Sequence, residues 1–276
     1  MEFGRSVLLL LTALLLSHSV YAQYTEDDGG IETKNGHLRY LCIGAGATYQ
    51  VMNDPSISPI WYSRVGVQPM IGNIKVNQTS YSEVSMRASS MNLTHNVDKP
   101  LKPKVKTQRA LVDYRYLVKL PTEMMYYDFR VGAILSGYFG YKNAPILEDA
   151  AKVYEYAASL GLCGKITKEV TVRGKTSFLT WDLAIPLLAN TSRPYYLNRQ
   201  ELADPENNVI GDFFRNNGTG SFGRYFRVNS RAGLIYRLDN GNAVQISYQW
   251  DYTRFKTFNK AYFAEHIVSV IFMFNY

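Results

Sequence analysis

Charged side chains recur at every second residue in several segments of this chain. Asp113 and Arg115 form one such set, Asp128 and Arg130 another, Arg227, Arg231 and Arg237 a third, and Asp251 and Glu265 lie near the end. Successive side chains of an extended chain point to opposite faces, so each set occupies one face of its segment. On the inner face of a closed sheet, such groups have two uses. They pair across the interior and fill it, or they line a narrow wet path. The arginines outnumber the acids, so a path of this kind would favour negative solutes. Nothing in the spacing asks for a metal or a cofactor: Cys42 and Cys163 are far apart, no Cys-X-X-Cys occurs, and no histidine sits beside either. They read as two small buried residues, with a disulfide as the alternative. Ile43-Gly44-Ala45-Gly46-Ala47 has the glycines of a dinucleotide loop but lacks the following helix and the acidic partner. Small residues that let a strand bend or pack closely are the simpler reading.

The elements that position these charges show a period of two. Val244, Ile246, Tyr248, Trp250 and Tyr252 oppose Gln245, Ser247, Gln249, Asp251 and Thr253. Phe226, Val228, Ala232, Leu234 and Tyr236 oppose Arg227, Asn229, Arg231 and Arg237, and Ala110 to Val118 and Tyr127 to Phe139 alternate likewise. Asp239-Asn240-Gly241 between two of these runs is a strong hairpin signal, expected as a type I′ turn. Toward the N-terminus, strands are expected over 37–52, 60–70 and 75–94, with a turn at Gly72-Asn73; the third alternates poorly. From Tyr154 to Val172 one phase holds apart from Lys168, although Ile146, Ala150, Val153, Ala157 and Leu160 also fit helical spacing, leaving a short helix near 147–156 as a competitor.

The sum is about ten strands, with eight to twelve as the range. Tight connections at Gly72-Asn73, Pro121 to Glu123, Arg173 to Lys175 and Asp239 to Gly241 fall at one end of the sheet. Longer ones at 53–58, 95–108, 141–150 and 189–222 fall at the other. The implied fold is all-β: a closed antiparallel barrel over 37–276, with 23–36 as a disordered lead and 1–22 as a signal peptide. The last expectation rests on Arg5, the apolar run Val7 to Leu16 and Val20-Tyr21-Ala22; that run is half of the roughly twenty residues a spanning helix needs. Of the residues, 14% are aromatic, with 22 Tyr against 3 Trp, more than a soluble core requires and suited to girdles at two membrane interfaces. A Tyr-rich soluble secreted β-sandwich is the alternative.

Val268, Val270, Phe272, Phe274 and Tyr276 form an unbroken apolar face that finishes on an aromatic residue. Together with the N-terminal signal, this ending resembles the bacterial outer-membrane β-barrel proteins as a class. The resemblance implies that Phe272, Phe274 and Tyr276 are read by the barrel assembly machinery, that the site is the outer membrane of a Gram-negative-type bacterium, and that lipid and lipopolysaccharide are its surroundings.

Within that class the implied role is a porin-like narrow channel or a structural and interaction barrel meeting a surface partner through residues 189–222. The net charge of +7 then points to lipid phosphate or an anionic solute rather than to nucleic acid. Lys99, Lys102, Lys104 and Lys106, spaced by Pro100 and Pro103, read as a solvated loop or as a contact for lipopolysaccharide phosphates. A third role is a barrel-embedded hydrolase for lipid or peptide. The paired Asp-X-Asp and Asp-X-His elements of omptin-like proteases are missing, and a serine–histidine pair at the rim has only His95 with Ser89 or Ser90 to draw on. No catalytic residue is assigned.

Overall fold

The computed structural model describes residues 37–95, 103–122, 126–145, 152–193, 217–256 and 260–276. The alternating segments form the strands β1 (His37–Asp54), β2 (Ser58–Asn77), β3 (Ser80–Thr94), β4 (Lys104–Lys119), β5 (Tyr127–Asn143), β6 (Lys152–Val172), β7 (Lys175–Ser192), β8 (Asn217–Gly220), β9 (Tyr225–Arg237), β10 (Ala243–Phe255) and β11 (Ala261–Asn275). Consecutive strands from β1 to β7 pair antiparallel, β7 pairs β9, and β9, β10 and β11 follow in turn. The β1–β11 ladder, from Tyr40↔Asn275 to Asn53↔Tyr262, closes the ring. The short β8 pairs β7 at Ala189–Ser192, above the stretch Ser177–Ala184 that β9 takes, so β8 and β9 share one place in the wall. The result is an antiparallel barrel of ten wall positions. Closing the ring removes the two terminal edges of the sheet, as an extended backbone requires in a solvent without hydrogen-bonding groups.

Three expectations are corrected. Gly72 and Asn73 lie inside β2, paired with Cys42 and Leu41 on one side and with Ser85 and Val84 on the other. The turn falls instead at Gln78-Thr79, because a turn at Gly72 would unpair the apolar residues Ile74 and Val76, which β1 and β3 both hold. The Asp239-Asn240-Gly241 connection is not type I′, since only Gly241 has positive φ (82°). Its Gly241 N–H donates to the Leu238 carbonyl at 3.1 Å and Leu238 N–H to the Asn242 carbonyl at 2.9 Å, the pattern of a type I turn followed by a left-handed glycine. A turn with two positive φ values occurs at Arg173 (52°) and Gly174 (76°), between the paired Val172 and Lys175. The helical competitor also loses, since Lys152 to Tyr156 already pair with β5 as strand; 146–151 lie outside the described residues.

Most strands run longer than the roughly 9–11 residues that cross a bilayer, and the β6–β7 hairpin continues past its neighbours at the short-turn end, to Val172↔Lys175. Close approaches explain the small residues of β1: a Cβ on Gly44 would meet the Val270 carbonyl at 2.4 Å, and one on Gly46 would meet Ile267 at 2.7 Å. The β6–β7 register slips between Leu160 and Gly161, opposite Pro186, where a proline is tolerated because the ladder is already broken.

Candidate functional site: the barrel interior

Every wall position carries exposed or half-buried apolar residues on its outward face. On β4, Val112, Tyr114, Tyr116 and Val118 are exposed, and on β11, Val268, Val270, Phe272 and Phe274 are exposed, with Tyr276 following. A soluble protein rarely shows an apolar patch above a few hundred Å², whereas this sheath encircles the molecule. Aromatic rings gather toward its long-loop margin: Trp61 against Tyr262 (6.3 Å between centroids), Trp250 against Tyr252 (6.1 Å) and Tyr141 against Tyr154 (4.9 Å). Apolar outside, charged inside and ringed by aromatics, the barrel has the architecture of the outer-membrane class.

The inside is filled by struts that cross the lumen. Arg227 of β9 reaches Asp113 of β4 (3.0 Å) and Asp251 of β10 (2.7 Å), and Arg87 of β3 bridges the same two carboxylates at 3.2 and 3.3 Å. Arg231 of β9 spans to Glu83 of β3, on the far side of the ring, at 2.7 Å, and to Asp182 at 2.8 Å, where Lys165 joins at 2.9 Å. Arg115 lies between these two groups, donating to the Asn229 side-chain carbonyl at 2.9 Å with Glu83 at 3.6 Å. Five cations (Arg87, Arg115, Lys165, Arg227, Arg231) thus face four carboxylates (Glu83, Asp113, Asp182, Asp251), all buried. Buried charges persist only when each has partners, and here nearly every partner comes from another strand.

Apolar layers close both ends. Toward the short turns, Leu38, Tyr40, Ile74, Leu117, Ile134 and Met273 belong to one buried cluster, together with Cys42 and Cys163, which are free thiols. Toward the long loops, Met52, Tyr62, Leu93, Leu111, Phe255 and Phe263 belong to another. A second ionic group sits among these. Lys142 reaches Asp54 and Glu155 at 2.7 Å each, Arg193 pairs with Asp54, and Arg109 meets Glu265 at 2.6 Å with its guanidinium 5.0 Å from the Tyr138 ring. Beside the central charges lies a cavity of about 30 Å³, bordered by Gln245, Ser247, Gln249, Ser269 and Arg87. That is room for one or two waters.

Among the residues singled out from sequence, Asp113, Arg115, Arg227, Arg231, Asp251 and Glu265 are buried inside the barrel. Asp128 and Arg130 pair with each other at 2.8 Å near the short-turn end, and Arg237 is half-buried there. Lys104 and Lys106 project outward at the start of β4, while Lys99 and Lys102 lie outside the described residues. Phe272, Phe274 and Tyr276 are on the outer face. His95 and the serines are not assembled for catalysis: the His95 Nδ1 lies 2.6 Å from the Trp61 carbonyl, and Ser89 and Ser90 point to opposite faces of the sheet, one buried and one exposed. Sequence reasoning missed Glu83, Arg87, Lys165, Asp182, Asp54, Lys142, Glu155 and Arg193. Their shared signal is a charge at the inward parity of a strand, or, for Arg193, one residue past the end of β7.

No family model matches the chain, and no curated protein does. Among solved structures it is similar to the outer membrane protease OmpT of Escherichia coli, at 9% identity over 87% of this chain and 96% of that one, with a TM-score of 0.46. It is also similar to the Neisserial surface protein NspA (11% identity, 84% and 95% covered, TM-score 0.33) and to Ail, the attachment invasion locus protein of Yersinia pestis (8%, 86% and 99%, TM-score 0.31). The fold rests on the closed strand register itself.

Proposed function

We propose that the protein is a non-conducting barrel of the bacterial outer membrane, exported by the segment 1–22, whose filled interior stiffens the wall and holds the long-loop end in a fixed shape for a partner outside the cell. The observation that carries this reading is the set of cross-lumen struts, above all Arg227 to Asp113 and Arg231 to Glu83. A solute path would have to part ion pairs belonging to opposite walls and then pass an apolar layer at either end. Short turns on one side and longer connections on the other match the periplasmic and outer faces of such barrels, which puts the Arg193 and Lys142 group at the outer end.

The test is conductance across a planar bilayer holding the refolded full chain. The expected record is flat at all voltages, and reproducible unit steps in the wild type would refute the filled-lumen reading. Cell fractionation with gel mobility before and after boiling tests the location. Heat-shifted mobility in the outer-membrane fraction is expected, and recovery as an ordinary soluble species overturns the membrane assignment.

A further inference from the structure

One seam of the wall is not sewn. Strands β2 and β3 keep a single register, with Ser63 opposite Thr94 and Met70 opposite Arg87, yet no ladder pair joins residues 64–69 to 88–93. On their other sides both stretches pair without interruption, β2 with β1 and β3 with β4. The local sequence explains the opening. Pro69 has no N–H to donate, and Gly66 offers no side chain to pack, its place being taken by Met91, whose sulfur lies 2.5 Å from where a Cβ would stand. Side chains take up some of the slack: the Arg64 Nη1 donates to the Asn92 carbonyl at 3.2 Å, and the Thr107 hydroxyl lies 3.4 Å from the Met91 carbonyl.

The seam's surroundings are specific in chemistry. Arg64 occupies an inward position by parity, between buried Tyr62 and Gly66, but its side chain is exposed. Level with it, Lys104 is opposite Thr94 and Lys106 is opposite Asn92, both exposed on the next strand but one, at least the roughly 10 Å that two paired-strand spacings span. No carboxylate pairs with these three cations among the described residues. The aromatic margin fixes the height: Tyr141 is opposite Gln108, which is opposite Ser90, so the cations stand just beyond the girdle and the seam runs from there into the apolar band. Its lips are among the most exposed apolar residues, Val65 at 64% and Val67 at 66%. Behind it, the buried amides of Gln50 and Gln68 and the Thr48 hydroxyl have no hydrogen-bond partner. An open strand edge facing hydrocarbon is unfavourable, so this place calls for an occupant with acceptors, negative charge and an apolar tail.

We infer that the β2–β3 seam is a binding site for an anionic lipid of the outer leaflet. Arg64, Lys104 and Lys106 take the phosphate, the unpaired backbone of the seam meets the ester-linkage oxygens, and an acyl chain lies along Val65 and Val67. This site rests on the membrane assignment above, though not on the closed lumen.

Trp61, exposed beside the seam, serves as reporter in a Trp181→Phe/Trp250→Phe background reconstituted in phosphatidylcholine vesicles. Brominated phosphatidylglycerol is expected to quench Trp61 at roughly one-fifth or less of the mole fraction that brominated phosphatidylcholine requires, since even one basic side chain near an anionic lipid surface contributes about fivefold. The preference should vanish in Arg64→Gln/Lys104→Gln/Lys106→Gln. It should also fall when Val67→Cys/Ser90→Cys is oxidised to pin the seam, and return on reduction. Equal quenching by both lipids in the parent overturns the site, and so does a preference that survives the triple substitution or the pinned seam. Failure of the membrane assignment looks different: neither lipid quenches.

Discussion

Replacing Arg227 by methionine removes a charge while keeping most of the side chain's volume, and the two descriptions of the lumen then part company. The guanidinium contacts Asp113 at 3.0 and 3.3 Å and Asp251 at 3.0 and 2.7 Å, with 1% of the side chain exposed. At 2.7 Å the gross attraction of one pair is roughly 6 kcal/mol at an effective dielectric of about 20 and roughly 1.5 kcal/mol in bulk water. After desolvation, stripping one partner from a dry buried pair costs about 3–5 kcal/mol, because two carboxylates are left with Arg87 as their one ion-pair partner, beside the Asn229 amide that donates to Asp251. In a hydrated channel the same pair would be worth about 0–1 kcal/mol, and the loss would also bring the central cluster to four cations against four acids, a change a wet lumen accepts easily. The assay is urea unfolding of the barrel refolded in phosphatidylcholine vesicles, followed by tryptophan fluorescence, with midpoints converted at constant slope. Asp113→Leu alone should also be costly, while the double variant should recover at least about 2 kcal/mol of the summed losses, since it removes one charge of each sign. A loss below about 1 kcal/mol in Arg227→Met would refute the dry network and with it the filled-lumen reading.

Three further outcomes follow from local geometry. Gly161→Ala places a Cβ 2.3 Å from the Ile185 carbonyl and 2.4 Å from the Pro186 Cα, whereas Gly137→Ala meets nothing nearer than 3.9 Å. The first should destabilise by about 1–3 kcal/mol and the second by less than about 1 kcal/mol; equal midpoints in the urea series would contradict the close β6–β7 approach. Arg173 holds a left-handed conformation beside Gly174, where asparagine is better tolerated, so Arg173→Asn should raise stability by about 0.5–1 kcal/mol, and a fall in midpoint would dispute the turn type. Cys42 and Cys163 are free and buried, so a charged maleimide should label neither in the folded barrel and both after boiling, as read by intact mass.

How much of this was legible depends on which symmetry of the chain a residue obeys. Parity is local, and it sorted Asp113, Arg227, Arg231 and Asp251 onto the inner faces of their strands and the C-terminal apolar row onto the outer one. Turn position is less local. Gly72-Asn73 has the right residue types, yet the continued alternation of Ile74 and Val76 on both neighbours outweighs them, and that competition appears only once register is known. The segment that alternated worst from sequence, β3, carries Glu83 and Arg87 inward while its outward Ser90 and Asn92 are polar. Its weak pattern arises because these two residues stand at and beyond the level of the aromatic girdle, Ser90 across Gln108 from Tyr141 and Asn92 opposite Lys106, where an apolar exterior is not required.

Partner identity is the least legible layer, because it depends on which inward residues reach the same height from opposite walls. Arg231 and Glu83 are 148 positions apart in sequence and meet at 2.7 Å; neither composition nor period marks them as a pair. Counting the inward acids from the clearest strands alone left arginine in excess and made an anion path attractive. The missing acids were Glu83, in the strand whose pattern was weakest, and Asp182, which alternates with the apolar residues Trp181 and Leu183. Arg87 and Lys165 were missed with them, so the central cluster keeps the same excess of one cation, five to four acids; what the register adds is partners for these charges, and an unmatched buried charge is far costlier than a matched one. The pairing of charges from opposite walls, more than their balance, therefore favours a filled barrel over a selective pore.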